Sequence, residues 1–556
     1  MLRTLLIVAI ALGLLAPAAA AAEDRPNVVV IETDDQTVAD LAVMPRTREL
    51  IGDQGVSFRN SFVSLSQCCP SRTTLLTGRY AHNHGVFSIL PPFGGFERLD
   101  SSETLAVWLQ RAGYATVLLG KFLNHYGIRD PREVPPGWTE WHALVDPTTY
   151  RYYGYTFNDD GRLTRYGDAP ADYQTDVITG RAEEIVRRRA AARRPFFLWA
   201  AYLAPHNGGP RESDDPPGTY SPVPAPRDRD AFAGAELPHG PAFDEADISD
   251  KPRGIRRRAP LTPAAVAGIR EVWQQRRESL RSVDEGVARI VAALRSAGAL
   301  DNTLLIFTSD NGYLSGEHRV PTGKVLPYEP SIRVPLLVRG PGIPRGESRS
   351  QLVWNGDLAP TILAATGARP AWEPDGESLL PFVADPGLET GRDILLEAPR
   401  RHTGVERFVG LRSRTHVFVE HSTGERELYD VRRDPAELDN LAGSPGAATL
   451  EHELAARLDA LRHCAGRSCR PQPRLTLAVG RRCRGGRATV RISGHDRRRV
   501  RQVRIGIDGR LGRQLRRPPF RGKLALRSVV GPVEVTARAV LADDRVVTLS
   551  RGVSCR

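Results

Sequence analysis

Two adjacent cysteines, Cys68 and Cys69, open the stretch CCPSRTTLLTG in a chain of 556 residues that has only six cysteines. A cysteine can act as a nucleophile or a metal ligand, or it can form a disulfide, and its surroundings decide which. Adjacent cysteines seldom pair with each other because the small ring that they would close is strained. We therefore expect Cys68 and Cys69 to have different roles.

Two pairs of side chains with hard oxygen atoms follow apolar segments. Asp34 and Asp35 come after NVVVIET, and Asp310 and Asn311 come after NTLLIFTS. Such oxygen ligands suit Ca²⁺ or Mg²⁺ and are poor ligands for zinc. An Asp pair at a strand end is more often a turn or a helix cap, and DNG is a common turn sequence. Only the convergence of the two pairs at one place would indicate a metal site.

Lysine is rare in this chain. Four lysines stand against 73 arginines, so arginine serves wherever a general cation is enough. A retained lysine, such as Lys121 or Lys324, then indicates a need for a compact point charge.

The hydrophobic pattern predicts how these residues are positioned. From Pro26 apolar runs alternate with helical patterns, which indicates a mostly parallel sheet covered by helices. Four strands are predicted to end in polar residues, at Asp35, Lys121, His206 and Asn311. Ligands bind at the carboxyl edge of such a sheet, so we expect one site built from distant segments.

Other segments extend this prediction. Asp100 and Glu103 form a capping-box pattern for a helix that ends at about Ala112. VPLLVRGPG predicts a further buried strand, and residues 352–367 predict a strand, a turn and a helix. The Pro-, Asp- and Gly-rich stretch after His206 is longer than an ordinary connection, and such loops are usually functional or disordered.

The domain organisation is predicted from the same pattern and from the ends of the chain. Residues 1–22 have the charged start, apolar core and A-x-A site of a cleaved secretory signal peptide. A helix needs about 20 apolar residues to span a bilayer, and this apolar run is shorter, which argues against a transmembrane anchor. We expect a catalytic α/β domain at 26–385, a smaller α+β subdomain at 386–465 and a β-sandwich at 472–556.

Charge separates the last region from the rest. The net charge is +12, but residues 470–556 carry 23 Arg or Lys against five acids, so the remainder of the chain is net acidic. A basic module can bind an anionic polymer or the cell envelope. An Arg-rich composition on a solvated surface explains the same charge, and no feature indicates specific nucleic-acid binding.

The ordered set of motifs resembles the sulfatase family. CCPSRTTLLTG is similar to its signature, with matches at Cys68, Pro70, Ser71, Arg72, Thr77 and Gly78. Further family motifs follow in order over about residues 26–465, namely the Asp34–Asp35 pair, GKFLN, PH at His206, DNG at Asp310, GK at Lys324 and ELYDVRRDPAELDNL. Resemblance is strongest to the glucosamine-6-sulfatase and arylsulfatase branch.

This resemblance implies a fold and a mechanism. The fold would be that of alkaline phosphatase, with a mixed, mostly parallel sheet between helices. A formylglycine-generating enzyme would oxidise Cys68 to formylglycine. One oxygen of its hydrate attacks sulfur and displaces the ester oxygen, and the remaining hydroxyl then collapses to the aldehyde, releasing sulfate. A Ca²⁺ ion, or Mg²⁺, would be held by Asp34, Asp35, Asp310, Asn311 and the modified Cys68.

Further roles come from the same resemblance. Arg72, Lys121 and Lys324 would orient the nucleophile and bind sulfate oxygens, and His206 would be the leaving-group acid. Alternative interpretations are a surface arginine for Arg72 and a capping or core histidine for His206.

The chain departs from the family at one position. Many sulfatases have histidine two residues after the GK lysine, where this chain has Leu123. Asn124 could take the polar role there, and His125 is a second candidate. His318 could also reach the substrate, although a loop histidine paired with Glu317 is equally consistent with the sequence.

Six cysteines in an exported protein suggest disulfides. If Cys68 is modified, Cys464 and Cys469 can close a short loop and Cys483 could pair with Cys555. Cys69 is then left over, and we interpret it as a small buried filler.

The sequence therefore predicts a secreted or envelope-associated sulfatase that acts on a sulfated carbohydrate, such as N-acetylglucosamine 6-sulfate, or on aryl sulfates. Two alternatives stay open at this point. One is a phosphomonoester or phosphonate ester hydrolase of the same superfamily, and the other is a noncatalytic binding protein with a degenerate site.

Overall fold

The computed structural model describes residues 25–400, 408–480, 487–526 and 532–554. Its strands are β1 (Asn27–Thr33), β2 (Val56–Phe62), β3 (Ala115–Gly120), β4 (Glu140–Leu144), β5 (Thr156–Asp159), β6 (Arg162–Arg165), β7 (Phe196–Ala201), β8 (Thr303–Ser309), β9 (Leu336–Arg339), β10 (Glu347–Trp354), β11 (Ile394–Glu397), β12 (Phe408–Arg412), β13 (His416–His421), β14 (Arg426–Asp430), β15 (Thr476–Val479), β16 (Arg487–Ser493), β17 (Val500–Ile507), β18 (Arg510–Leu515), β19 (Arg521–Ala525), β20 (Pro532–Leu541) and β21 (Val546–Ser554). Its α-helices are α1 (Pro45–Thr47), α2 (Cys68–Thr77), α3 (Ala81–His84), α4 (Leu105–Arg111), α5 (Gln174–Ala191), α6 (Arg253–Arg256), α7 (Pro263–Ser296), α8 (Glu329–Ile332), α9 (Leu358–Thr366), α10 (Leu380–Ala384) and α11 (Ala448–Leu461).

A ten-stranded sheet forms the centre of the described chain, in the order β10-β2-β9-β8-β1-β7-β3-β4-β5-β6. Its middle strands β8, β1, β7, β3 and β4 run parallel. β9 is antiparallel to both of its neighbours, β8 and β2, and β5 and β6 form an antiparallel edge. The sheet is thus mixed and mostly parallel, with the alkaline-phosphatase-like fold that was predicted.

Helices cover both faces of this sheet, and β1 shows why its sequence is apolar throughout. Val28 and Val30 pack into a core with side chains from α2, α4 and α9. Val29 and Ile31 point the other way, into a core with α5 and α7. A strand buried on both faces needs apolar residues at every position, rather than at every second one.

Two local predictions were wrong. The helix after Asp100 begins at Leu105 with Thr104 as its N-cap, so there is no capping box between Asp100 and Glu103. Glu103 instead accepts hydrogen bonds from the side chains of Trp108 and Arg111. In addition, β7 ends at Ala201, and the chain passes through four further residues before it reaches His206.

The C-terminal part contains three antiparallel sheets. β11 to β14 form one sheet in sequence order, and α11 packs on it through Leu454, Leu458 and Leu461. β15-β16-β19 and β18-β17-β20-β21 form two more, which share one apolar core. Each sheet falls inside one of the three proposed domain ranges.

The last two sheets are attached to the rest of the chain. Thr548 N on β21 donates to the carbonyl of Glu389, Glu389 N donates to Thr548 Oγ1, and Arg538 on β20 forms an ion pair with the same glutamate. Arg499 pairs with Glu453 on α11. The outer face of β20 and β21 therefore contacts the body of the protein.

Cys464 and Cys469 form the predicted disulfide, and Cys69 is fully buried in the core. The predicted signal peptide and the predicted Cys483–Cys555 pair lie outside the described residues. Within the described ranges, the structure contains no helix that is both long and apolar enough to cross a membrane.

Candidate active site

Four neighbouring strands carry the candidate residues to one edge of the sheet. β8, β1, β7 and β3 lie side by side and run parallel. Thr33, the last residue of β1, is paired with Ser309, the last residue of β8. Asp34 and Asp310 therefore leave the sheet next to each other, and Lys121 leaves β3 on the other side of β7.

Cys68 is the first residue of α2 and is almost completely buried. Its Sγ atom lies 3.5 Å from Asp34 Oδ1 and 2.9 Å from Lys324 Nζ. The helix places the positive end of its dipole and a lysine beside this atom, which favours negative charge there.

Arg72 lies one turn further along α2 and is fully buried. Its Nε atom donates to Asp310 Oδ2 at 2.7 Å, and its Nη2 atom donates to Asp34 Oδ2 at 3.1 Å. Nη1 donates to the carbonyl of Lys121 and lies 3.3 Å from Glu32 Oε2. A planar fork of donors can hold several carboxylates at fixed angles, so Arg72 ties the ends of β1, β3 and β8 together.

The two lysines lie on opposite sides of the carboxylate pair. Lys121 Nζ contacts Asp34 and lies over the ring of Tyr150, while Lys324 Nζ contacts Asp35. Burial opposes ionisation of both aspartates, but the neighbouring cations outweigh it and hold the pKa of each carboxyl below its usual value. Both aspartates are therefore carboxylates at neutral pH.

His206 completes a group of potential metal ligands. Asp34, Asp35, Cys68 and His206 each offer a ligand atom, and these atoms lie within 4.8 Å of one another. His206 Nδ1 lies 2.6 Å from the carbonyl of Asn207, so Nε2 is the nitrogen that faces the aspartates.

Asn311 provides a test of whether a cation fits. Its Nδ2 atom donates to Asp35 Oδ1 at 2.6 Å, whereas its Oδ1 atom is buried and has no hydrogen-bond partner. A buried acceptor without a partner is costly, and a hard cation would satisfy it. Asp310 lies further back, since its two oxygens accept from Asp35 N and Arg72 Nε.

A cavity of about 610 Å³ opens in front of Cys68, His206 and Lys324. Asn124 and His125 also line this cavity. Asn124 donates to the hydroxyl of Tyr150, and its own Oδ1 atom is buried without a partner. His125 Nδ1 lies 2.6 Å from Glu97.

His318 is not among the residues that line this cavity. It is buried, its Nδ1 atom lies 2.6 Å from Glu245, and its ring packs on Tyr328. The structure therefore brings together every predicted site residue except His318, with Arg72 and Asp310 supporting the site from behind.

Sequence reasoning missed several residues of the site. Glu32 is a buried carboxyl group beneath Arg72, and burial raises its pKa to about 8 although Arg72 opposes the shift. Its only sequence signal is one acidic residue inside an apolar strand. Tyr150 and the loop residues Arg211 and Tyr220 also contact or line the site, and no local pattern marks them.

A buried cysteine at a helix N-terminus, two lysines and a set of oxygen ligands are typical of enzymes that act on anionic esters. The sulfatase family matches residues 26–368, and the family described as N-sulphoglucosamine sulphohydrolase, C-terminal, matches residues 316–464. The chain belongs to the sulfatase family, and it is a sulfuric ester hydrolase.

Individual relatives agree with this assignment. The chain is 36% identical to an arylsulfatase of Volvox carteri over 522 residues, which are 84% of this chain and 79% of that protein. It is 31% identical to human N-acetylglucosamine-6-sulfatase over 500 residues, 81% of this chain and 87% of that one. A solved structure of a protein in complex with its substrate D-glucosamine-2-N,6-O-disulfate superposes with a TM-score of 0.67 and 23% identity, covering 78% of this chain and 97% of the other.

Proposed function

We propose that this sulfatase removes sulfate from a carbohydrate, with 6-O-sulfated glucosamine as the favoured unit, through a formylglycine made from Cys68. The observation that carries the proposal is the position of Cys68 at the floor of a cavity, 2.9 Å from a lysine and 3.5 Å from a carboxylate. As a cysteine it would be a poor nucleophile, because burial raises the pKa of its thiol far above the usual value. Conversion to a hydrated aldehyde supplies a nucleophile that does not depend on a thiolate.

The residues around Cys68 have separate tasks in this proposal. Lys121 and Lys324 neutralise the charged sulfate, which sits at the N-terminus of α2. His206 presents Nε2 to the site and can hold the proton that the departing sugar oxygen needs. Arg72 contacts no part of the cavity, so we assign it the positioning of Asp34 and Asp310.

A divalent cation would be held by Asp34, Asp35 and Asn311, with Asp310 beside them. All four supply oxygen, so Ca²⁺ is the favoured ion and Mg²⁺ is the alternative. When bound, such an ion polarises a sulfate oxygen and lowers the charge of the carboxylate cluster.

The lining of the cavity favours a sugar over a simple aryl group. Its volume lies in the range of small-molecule sites, about 300–1,000 Å³. Polar side chains surround the space outside the sulfate position, among them Gln67, Asn124, Asp146, Arg211 and Asp215. Several hydrogen-bonding groups suit the hydroxyls of a pyranose, whereas an aryl ring would leave the buried Gln67 Oε1 and Asn124 Oδ1 atoms without a partner.

Two further parts of the proposal concern maturation and location. A formylglycine-generating enzyme must act on Cys68 during synthesis. We propose export by the signal peptide at 1–22, and contact of the basic C-terminal sheets with an anionic polymer or the cell envelope.

The test uses protein from a host that contains the maturation enzyme. Mass spectrometry of the peptide that contains Cys68 should show the aldehyde, and N-acetylglucosamine 6-sulfate should be turned over. Cys68→Ser should abolish turnover, because serine carries one oxygen where the hydrate carries two. Cys69→Ser is the matched control and should keep the aldehyde and most activity, since Cys69 packs in the core.

Three outcomes would contradict the proposal. One is repeated turnover by Cys68→Ser, and another is conversion of Cys69 instead of Cys68. The third is faster hydrolysis of nitrophenyl phosphate than of nitrophenyl sulfate, which would favour the phosphoester alternative. Formylglycine without any turnover would favour the noncatalytic alternative.

A further inference from the structure

The three-stranded sheet β15-β16-β19 carries four cations on one face. Side chains alternate along a strand, so Arg487 and Arg491 on β16 point to the same side. The register pairs Arg491 with Arg521, and Lys523 with Thr489. All four cations are exposed, while the residues between them, Ala488, Val490, Gly522 and Leu524, are buried.

This face has no acidic partner. In the described part of the chain, none of Arg487, Arg491, Arg521 and Lys523 forms an ion pair, and the arginines of this module that do so are others. Arg491 and Arg521 stand directly opposite each other, and like charges in that position destabilise a sheet. None of the five acids of residues 470–556 lies on β15, β16 or β19.

The opposite side of the module contacts the body of the protein and is not free to bind a partner. Arg538 and Thr548, which face each other on β20 and β21, contact Glu389 of the body. The sandwich is therefore attached by one sheet and presents the basic face of the other sheet to solvent. We refer to Arg487, Arg491, Arg521 and Lys523 as the basic face.

Two further exposed arginines lie on β18, next to β19. Arg513 on β18 donates to the carbonyl of Lys523. Arg513 and Arg510 line a cavity of about 540 Å³ beside β19, and Asp508 also lines this cavity. Exposed cations thus lie on β16, β19 and β18, a spread over three strands that suits a long anion better than a single small one.

We propose that the basic face binds a sulfated polysaccharide chain, and that it holds the polymer whose sulfate groups the active site removes. The proposal rests on the function proposed above, because that function makes a sulfated glycan the polyanion that this protein meets. Regularly spaced sulfates along a flexible chain match separate cations on neighbouring strands, and a second contact raises the effective concentration of substrate at the active site.

The experiment measures binding of the full chain to immobilised dextran sulfate, with uncharged dextran as the blank. The variant Arg487→Gln/Arg491→Gln/Arg521→Gln/Lys523→Gln should bind about tenfold more weakly or worse, and its affinity should depend less steeply on salt. The matched control Arg48→Gln/Arg193→Gln/Arg345→Gln/Arg432→Gln removes four exposed charges from the body and should change binding less than about twofold.

Two more measurements separate the explanations. Removal of the opposed Arg491 and Arg521 should leave the melting temperature unchanged or raise it, so lost binding would not reflect unfolding. Hydrolysis of nitrophenyl sulfate should be unaffected in the basic-face variant, so a protein without any turnover would contradict the proposed function and not this surface.

Equal weakening in the variant and in the matched control would overturn the proposal, because it would show a general charge effect. Unchanged binding of dextran sulfate in the basic-face variant would overturn it as well. The proposal would also be overturned if the basic-face variant lost binding only to phosphatidylglycerol vesicles, measured in parallel, since that result would identify the partner as a lipid surface.

Discussion

Arg72 shows how much one buried side chain can hold in place. Its guanidinium bonds to Asp34, Asp310 and the Lys121 carbonyl from a fully buried position. Lysine has a single charged atom and cannot make these contacts together, so Arg72→Lys should leave at least one carboxylate without its partner. We expect a loss of about 3 kcal/mol in the free energy of unfolding and loss of sulfatase turnover.

Denaturant unfolding and turnover of nitrophenyl sulfate check this expectation. Arg333→Lys is a suitable control, because the Arg333 side chain is partly exposed and its bonds go to the Arg59 carbonyl and Glu329. Wild-type stability in Arg72→Lys would show that the guanidinium is not needed to position the carboxylates.

Substitution of Tyr220, an exposed residue of the cavity, can test the proposed carbohydrate substrate. Its side chain is 77% exposed and yet lines the cavity, together with the exposed Leu90. An exposed aromatic ring at the mouth of the cavity can pack on the apolar face of a sugar. Tyr220→Ala should raise KM about tenfold for a sulfated disaccharide and leave kcat nearly unchanged, whereas Tyr220→Phe should behave as wild type.

Ile128→Ala serves as the control for this change, since Ile128 is an exposed apolar residue that does not line the cavity. If KM for the disaccharide stays at the wild-type value in Tyr220→Ala, the ring has no part in substrate binding.

At the scale of elements, the turn after β3 fixes the position of Lys121. Gly120 has φ +105°, and a Cβ atom added there would lie 2.0 Å from the carbonyl oxygen of Ala201 on β7. Lys121 N donates to that same oxygen at 2.9 Å. Gly120→Ala must therefore displace the strand end that carries Lys121, and we expect it to lose about 3 kcal/mol of stability together with most turnover.

Gly424→Ala shows how much of this loss comes from the positive φ and how much from the contact with Ala201. Gly424 also has a positive φ, of 85°, but no atom lies within 4 Å of an added Cβ. This control should lose only about 1 kcal/mol, the cost of the left-handed backbone, and keep full turnover. Equal losses in the two variants would mean that the contact with Ala201 is unimportant.

Much of the fold and part of the site can be predicted from the sequence, for identifiable reasons. A strand buried on both faces is apolar throughout, so β1 and β8 and the polar residues that follow them stand out. The burial of Arg72 cannot be predicted, because one arginine among 73 carries no mark of its environment. The lining of the cavity by Tyr220 and Arg211 depends on how a long loop folds back, which no local pattern encodes.

At the scale of the whole molecule, the basic C-terminal sheets are an attached module with their own core. That core is formed by side chains of the two sheets alone. Its polar contacts with the body include those of Thr548 and Arg538 with Glu389, of Arg499 with Glu453 and of Asp543 with Arg457. None of the residues that line the active-site cavity comes from the module.

Removal of the module should therefore spare catalysis and cost some stability. A chain that ends at Arg470 should fold and hydrolyse nitrophenyl sulfate at a nearly wild-type rate, because Cys68 and the candidate metal ligands keep all of their contacts. Its melting temperature should fall by a few degrees, since Glu389 and Glu453 lose their partners Arg538 and Arg499. In the full chain, Arg538→Gln should reproduce part of that fall without affecting turnover, and a truncated protein that fails to fold would show that the sandwich belongs to the catalytic core.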